Sequence, residues 1–188
     1  MFPISRRAVL ASLGMVLGAE LLPRVASATW VRGMSLQELV SRSRHAVIGT
    51  PLDARCLYVT IGSRRLLVTE TRLRVDGLLA LEPPGQAELA VRTLGGQLDG
   101  VGELVHGQAE LVRGQLCVAF FERAPDGACW VTGMAQGHYP LGNADAVLKL
   151  RASPQLPVIR DWEQSAVKRL VGTRLSEAES LVAEAKSR

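Results

Sequence analysis

Hydrophobic and polar residues alternate most regularly between positions 65 and 76, where leucine, valine and threonine occupy one set of positions and charged residues the other. Successive side chains of a strand point to opposite faces of its sheet, so this alternation predicts a strand with one buried face and one exposed face. Similar patterns predict strands over 45–61, with a bulge or kink at 51–55, and over 87–93.

A second pair of predicted strands, over 116–121 and 129–134, flanks an Ala-Pro-Asp-Gly turn at 124–127. The first of these strands is apolar on both alternating sets of positions and ends in Phe120 and Phe121. A strand of this kind is covered on both faces of its sheet. We therefore predict a central strand whose two phenylalanines are buried on opposite sides.

Three segments have the signals of amphipathic helices. The first, over 36–44, begins with a capping box in which the Ser35 and Glu38 side chains satisfy each other's backbone N–H groups. Two further helices, near 162–171 and 177–186, follow a proline-containing linker. The pattern does not decide whether these C-terminal helices pack against the strands.

These elements predict a mainly β domain over 29–152 and a C-terminal helical extension over 153–188. Closure suits five short strands because it leaves few free edges. We therefore predict a small five-stranded antiparallel OB-like barrel, with one helix before it and two after it, and one further edge strand over 146–151. A β-sandwich is the alternative architecture.

A glycine-rich excursion separates the predicted strand over 87–93 from the central strand, with six glycines between positions 95 and 114. A phosphate-binding loop would continue into Gly-Lys-Ser/Thr and a helix, and neither follows here. We interpret these glycines as turn residues, because glycine adopts positive φ angles at little cost.

Two features over residues 34–141 resemble those of known proteins. They are the order of the predicted elements and two short sequence motifs, Arg113-Gly114-Gln115 and Gly133-Met134-Ala135-Gln136-Gly137. The chain resembles a loosely defined group of uncharacterised secreted bacterial β-rich proteins. More remotely, it resembles the OB-like barrel of netrin and metalloproteinase-inhibitor domains. Those domains depend on an N-terminal Cys, and Thr29 departs from that pattern. The resemblance therefore implies a barrel, but no inhibitor role and no catalytic residues.

The first 28 residues have the three parts of an export signal. Arg6 and Arg7 form the charged start, an apolar stretch follows, and Ala28 ends a cleavage site of small residues before Thr29. The apolar stretch is shorter than the roughly 20 residues that span a bilayer. We therefore predict cleavage after Ala28 and no membrane span in the mature protein.

The arginine pair resembles the twin-arginine signal, which is read as an address. Glu20 interrupts the apolar stretch and Arg24 precedes the cleavage site, and both residues favour this route over the general secretory one. Since the twin-arginine route carries folded proteins, we predict a bacterial protein that folds in the cytoplasm and works in the periplasm or outside the cell.

The charge balance argues against a nucleic-acid partner. The chain has 22 basic and 18 acidic residues, and part of the excess lies in the predicted signal peptide. The aromatic content of 4% is too small for a platform on which bases stack.

The candidate chemistry is sparse. A metal site would need Asp99, His106 and His138 to converge from separate loops, so we predict no metal or cofactor and keep these three as weak candidates. No Gly-x-Ser-x-Gly sequence is present for a serine nucleophile. Cys117 lies inside an apolar strand, where burial is the simpler interpretation.

The predicted hairpin keeps Cys117 and Cys129 about four strand positions apart, or roughly 13 Å at the rise of a strand. A disulfide needs Cα atoms within about 7 Å. Any disulfide must therefore involve Cys56, and the sequence does not decide whether Cys56 is bonded.

No catalytic set of residues emerges from these patterns. We interpret the chain as an exported, non-catalytic envelope module that binds a protein or glycan partner through its loops. The alternative is an exported hydrolase or metal-dependent enzyme whose loop residues the sequence does not identify.

Overall fold

The computed structural model describes residues 30–124, 126–144 and 147–188. The predicted signal peptide, with Arg6, Arg7 and Ala28, and the predicted mature N-terminus Thr29 lie outside these ranges. The structure is 46% strand and 21% helix, which confirms the mainly β prediction. In the ranges described, no helix has both the length and the apolar character needed to cross a membrane.

The strands in chain order are β1 (Trp30–Arg32), β2 (His45–Ile61), β3 (Arg64–Leu78), β4 (Glu88–Leu94), β5 (Gly96–Leu98), β6 (Val101–Glu103), β7 (Cys117–Arg123), β8 (Cys129–Val131), β9 (His138–Ala144), β10 (Val147–Leu150) and β11 (Val158–Arg160). The helices are α1 (Leu36–Arg42), α2 (Ala166–Leu170) and α3 (Leu175–Ser187). Two 3₁₀ turns occupy Met134–Gly137 and Trp162–Gln164.

Seven strands form one curled sheet in the order β10-β9-β7-β2-β3-β4-β8, and β8 also pairs with β7. The pairings thus lead from β7 through β2, β3, β4 and β8 back to β7. The barrel is nevertheless not closed, because β8 is too short to join its neighbours along their length. It forms two residue pairs with β4 and three with β7. The β4–β8 pairing is parallel, so the prediction of an all-antiparallel barrel is wrong at this joint.

The kink predicted in β2 is present. The register against β3 shifts between Ile48 and Gly49 and again between Pro51 and Asp53. A Cβ atom at position 49 would lie 2.7 Å from the backbone oxygen of Arg74, so only glycine allows this close approach of the two strands. The kink lets β2 pair with β7 at its start and with β3 along its whole length.

Phe120 and Phe121 are both fully buried, as predicted for a central strand covered on both faces. Phe120 packs in one cluster with residues of the three helices and forms an edge-on ring pair with Tyr139, at a centroid distance of 6.1 Å. Phe121 packs in a second cluster inside the curled sheet, with apolar residues of β2, β3, β4 and β8.

The three predicted helices are present, with different starts for the last two. In α1 the Ser35 side chain accepts a hydrogen bond from the Glu38 N–H at 3.1 Å, as predicted. The helix α2 begins after Ser165, which caps it, and not after Asp161, whose φ of 56° begins a 3₁₀ turn instead. Both C-terminal helices pack in the Phe120 cluster, through the buried residues Ala166, Val167, Leu170, Ala178, Val182 and Ala185.

Candidate functional site

The inner face of β3 and β4 changes from apolar to polar along the strands. Leu73 and Val91 are fully buried in the cluster around Phe121. Toward one end of the sheet, the next inward positions after Leu73 and Val91 are Thr71 on β3 and Thr93 on β4. Thr69 on β3, opposite Thr93, is the inward residue after Thr71. The interior of the curled sheet therefore ends in a layer of hydroxyl groups.

A groove of about 600 Å³ opens over this layer, and we call it the mouth. Its floor consists of Ala54 and the three threonines, and its walls come from the segment 94–111 and from Gln155. Concave sites of a few hundred cubic ångströms at the open ends of barrels are common places for ligands. The mouth is therefore the candidate functional site.

The three threonines of the floor differ in their hydrogen bonds. Thr69 Oγ1 donates to the Gly95 backbone oxygen at 2.8 Å and lies 3.5 Å from Cys56 Sγ. Thr71 and Thr93 are only 3% and 8% exposed, yet neither side chain has a hydrogen-bond partner among the described residues. Their oxygen atoms nevertheless reach the groove, because among the described residues only the Tyr139 hydroxyl is a fully buried side-chain polar atom without a partner. These two groups are free to bind a ligand or water from the groove.

One wall of the mouth is bare backbone. At Gly96 a Cβ atom would lie 2.6 Å from both Cys56 Sγ and Thr69 Oγ1, so glycine is required for β5 to rest against the floor. At Gly102 on β6 the nearest atom to such a Cβ is 4.0 Å away, and the backbone there is open. A ligand can approach this wall without meeting a side chain at that position.

The mouth is polar and acidic. Amide groups come from Gln97, Gln108 and Gln155, and carboxylates from Glu103 and Glu110. Gln155 Nε2 donates to Glu110 Oε2 at 3.4 Å. Among the described residues that line the mouth there is no Lys, Arg, His or aromatic residue. The site therefore favours neutral or cationic ligands over anions.

The structure does not bring the three weak metal candidates together. Asp99 lies in the exposed turn between β5 and β6, and His106 is also exposed. His138 is 1% exposed at the start of β9, with Nδ1 3.0 Å from Ser153 Oγ, and burial lowers its pKa to about 4. No group of three His, Cys, Asp or Glu in the described ranges could hold a metal ion.

All three cysteines are free. The strand predicted over 129–134 ends at Val131, and Cys117 pairs with Pro140 of β9 instead of with that strand, so the predicted hairpin is wrong there. Cys129 lies opposite Arg123, six residues along β7 from Cys117, so the two cysteines are far apart, as predicted. Burial raises the pKa of Cys117 to about 12. This thiol is therefore a core group and not a nucleophile at neutral pH.

The outer face of the same strands carries a chain of ion pairs. Glu70 lies between Arg55 at 2.7 Å and Arg92 at 3.0 Å, and Arg92 also pairs with Asp126 in the β7–β8 turn. The hydrogen bond from Arg55 is the main reason why the pKa of Glu70 is lowered. Since these charges neutralise one another and tie the turn to β4, we assign the outer face a structural role.

Sequence reasoning placed Thr69 and Thr71 on the inward set of β3 but gave them no function. The available signal was a hydroxyl at inward positions of a strand, where leucine or valine would otherwise be expected. No protein-family model, curated protein or solved structure matches the chain. The resemblances drawn from the sequence therefore stay predictions, and the function has to be argued from the mouth.

Proposed function

We propose that this chain is an exported, non-catalytic envelope module that holds a protein or glycan partner in the mouth. The observation that carries the proposal is the pair of Thr71 and Thr93 hydroxyls, which have no hydrogen-bond partner among the described residues and reach the mouth. Polar groups in the floor of a concave site can orient a ligand. A ligand that enters the mouth can complete these two hydrogen bonds.

The chemistry of the lining supports binding more than catalysis. The described residues of the mouth include no His, Cys, Lys or Tyr, which are frequent bases and nucleophiles in active sites. They offer hydroxyl, amide, carboxylate and backbone groups suited to orienting a ligand.

The test is capture of envelope partners by the tagged, exported protein, read by mass spectrometry. We expect Thr71→Val combined with Thr93→Val to lose the partner at least tenfold, because the substitution removes two hydrogen-bonding groups and keeps the side-chain shape. Ser180→Ala, on an exposed position of α3, is the matched control and should retain the partner. Equal capture by both variants would show that the mouth is not the binding site.

We further propose export by the twin-arginine route, on the basis of Arg6 and Arg7. Arg6→Lys with Arg7→Lys should leave the folded precursor in the cytoplasm, whereas Arg24→Lys should not change export. Immunoblots of cell fractions measure both outcomes, and N-terminal sequencing of the exported protein should begin at Thr29. Normal export of the double variant would refute this route.

A further inference from the structure

The wall of the mouth formed by β6 has a free edge. Within the described residues β6 pairs only with β5, through three residue pairs. The backbone groups on its other side are therefore available to another strand, as in the binding of an extended peptide to a sheet edge. Gly102, at the centre of β6, offers no side chain that would obstruct this approach.

The side chains along this edge are both aliphatic and acidic. Val101 and Leu104 are 56% and 76% exposed, which leaves two aliphatic groups in water beside the groove. Within β6, Val101 and Glu103 point to one face and Gly102 to the other, and Leu104 follows directly after the strand. Residues opposite each other in paired strands share a face. A strand added here would therefore meet the Glu103 carboxylate on one face, with the exposed Leu104 side chain just past the end of β6.

The charge and the shape of the mouth indicate which of the two proposed partners, a polypeptide or a glycan, fits it better. The carboxylates of Glu103 and Glu110 face the groove without a cation among its described lining residues, so the mouth attracts positive charge. Leu94, Leu104 and Leu111 give it an aliphatic surface. Among the described residues of the lining there is no aromatic ring on which a sugar could stack. These features favour a polypeptide over a glycan.

We infer that the mouth binds an extended polypeptide segment that carries both aliphatic and basic side chains, and that this segment pairs with the free edge of β6. The inference rests on the proposed function and names its partner. Basic side chains of the segment lie toward Glu103 and Glu110, and aliphatic ones pack on Leu104 and Leu94. The hydroxyls of Thr71 and Thr93 bond to polar groups that reach the floor.

The test follows backbone amide signals of the full mature protein by nuclear magnetic resonance during titration with defined probes. The probes are acetylated and amidated hexapeptides in which leucine alternates with lysine, glutamine or glutamate, and a neutral hexasaccharide, maltohexaose. We expect the lysine peptide to shift the Gly95, Gly96 and Gly102 amides in a saturable way. The glutamine peptide should bind at least fivefold more weakly, and the glutamate peptide should leave these signals unchanged.

A protein variant tests the contribution of charge, and a modified peptide tests the pairing with the β6 edge. Glu103→Gln with Glu110→Gln should weaken the lysine peptide at least fivefold and leave the glutamine peptide unaffected. N-methylation of the lysine peptide on one of its two alternating sets of amides should abolish its binding, while methylation of the other set should not. Binding that survives both methylations would overturn edge pairing.

The outcomes distinguish this inference from the proposed function. Maltohexaose shifting the three glycine signals while no peptide does so would overturn the polypeptide assignment and leave the mouth as a binding site. Equal shifts from the lysine and glutamate peptides would overturn the charge argument. Failure of the mouth itself is shown separately, by partner capture that is unchanged in the Thr71→Val and Thr93→Val protein.

Discussion

Phe121 and Thr71 both lie inside the curled sheet, but they differ in what surrounds them. Phe121 is fully covered by apolar side chains, whereas Thr71 lies at the floor of the open mouth with an unpartnered hydroxyl. In the covered regions, buried polar groups are mostly paired, as in His138 with Ser153; the Tyr139 hydroxyl is an exception. The contrast teaches that the interior of one curled sheet can be a packed core at one end and an open, polar groove at the other.

The largest effect is expected in the covered region. Replacing Phe120 or Phe121 by Ala should cost about 3–5 kcal/mol, the range for truncation of a buried phenylalanine. That loss is comparable with the whole stability of many domains, so both variants should be largely unfolded in denaturant or thermal melts. Leu104→Ala, at the exposed rim of the mouth, is the control and should change the melting curve little. A stable Phe121→Ala protein would show that the interior is not a packed core.

The second effect is the change in stability with pH that the buried, paired His138 should cause. The pKa of His138 is about 4 in the folded protein against an ordinary value of 6.5, because burial opposes its charged form. Above pH 6.5 both folded and unfolded chains hold this imidazole neutral, so stability is fully present. As the pH falls from 6.5 to 4 only the unfolded chain gains the proton, and stability is lost.

The size of this loss follows from the two pKa values. Each tenfold change in proton affinity is worth about 1.4 kcal/mol, so His138 should account for roughly 3 kcal/mol by pH 4. His138→Gln has no titrating imidazole and should show a correspondingly flatter dependence. Urea unfolding at a series of pH values measures the difference, in which the titration of other groups cancels. Parallel curves for the two proteins would contradict a buried, neutral His138.

The smallest effect distinguishes the threonines of the mouth. Thr69→Val should lower the free energy of unfolding by about 1 kcal/mol, because it removes the hydrogen bond to the Gly95 carbonyl. Thr71→Val removes no hydrogen bond to any described residue and should be neutral or stabilising. Matched urea curves provide the measurement. A loss in Thr71→Val as large as that in Thr69→Val would show that Thr71 has a structural partner.

Local patterns predicted those parts of the fold that local chemistry specifies. The alternation of β3, the cap of α1 and the double burial of Phe120 and Phe121 each depend on residues close in sequence. The short strands β1, β5, β6 and β11 escaped prediction because three residues are too few to show a period. The helix predicted from about 162 begins only after Ser165, because Asp161 adopts a left-handed conformation and a 3₁₀ turn follows it.

The sequence by itself determined that Thr71 faces inward, because strand alternation fixes the face of every side chain. Only the tertiary structure decided that its hydroxyl has no partner. The mouth brings together three strands, the segment 94–111 and Gln155, which are far apart along the chain. A hydrogen bond needs donor and acceptor within about 3 Å, and no local pattern records which distant groups the fold places at that distance.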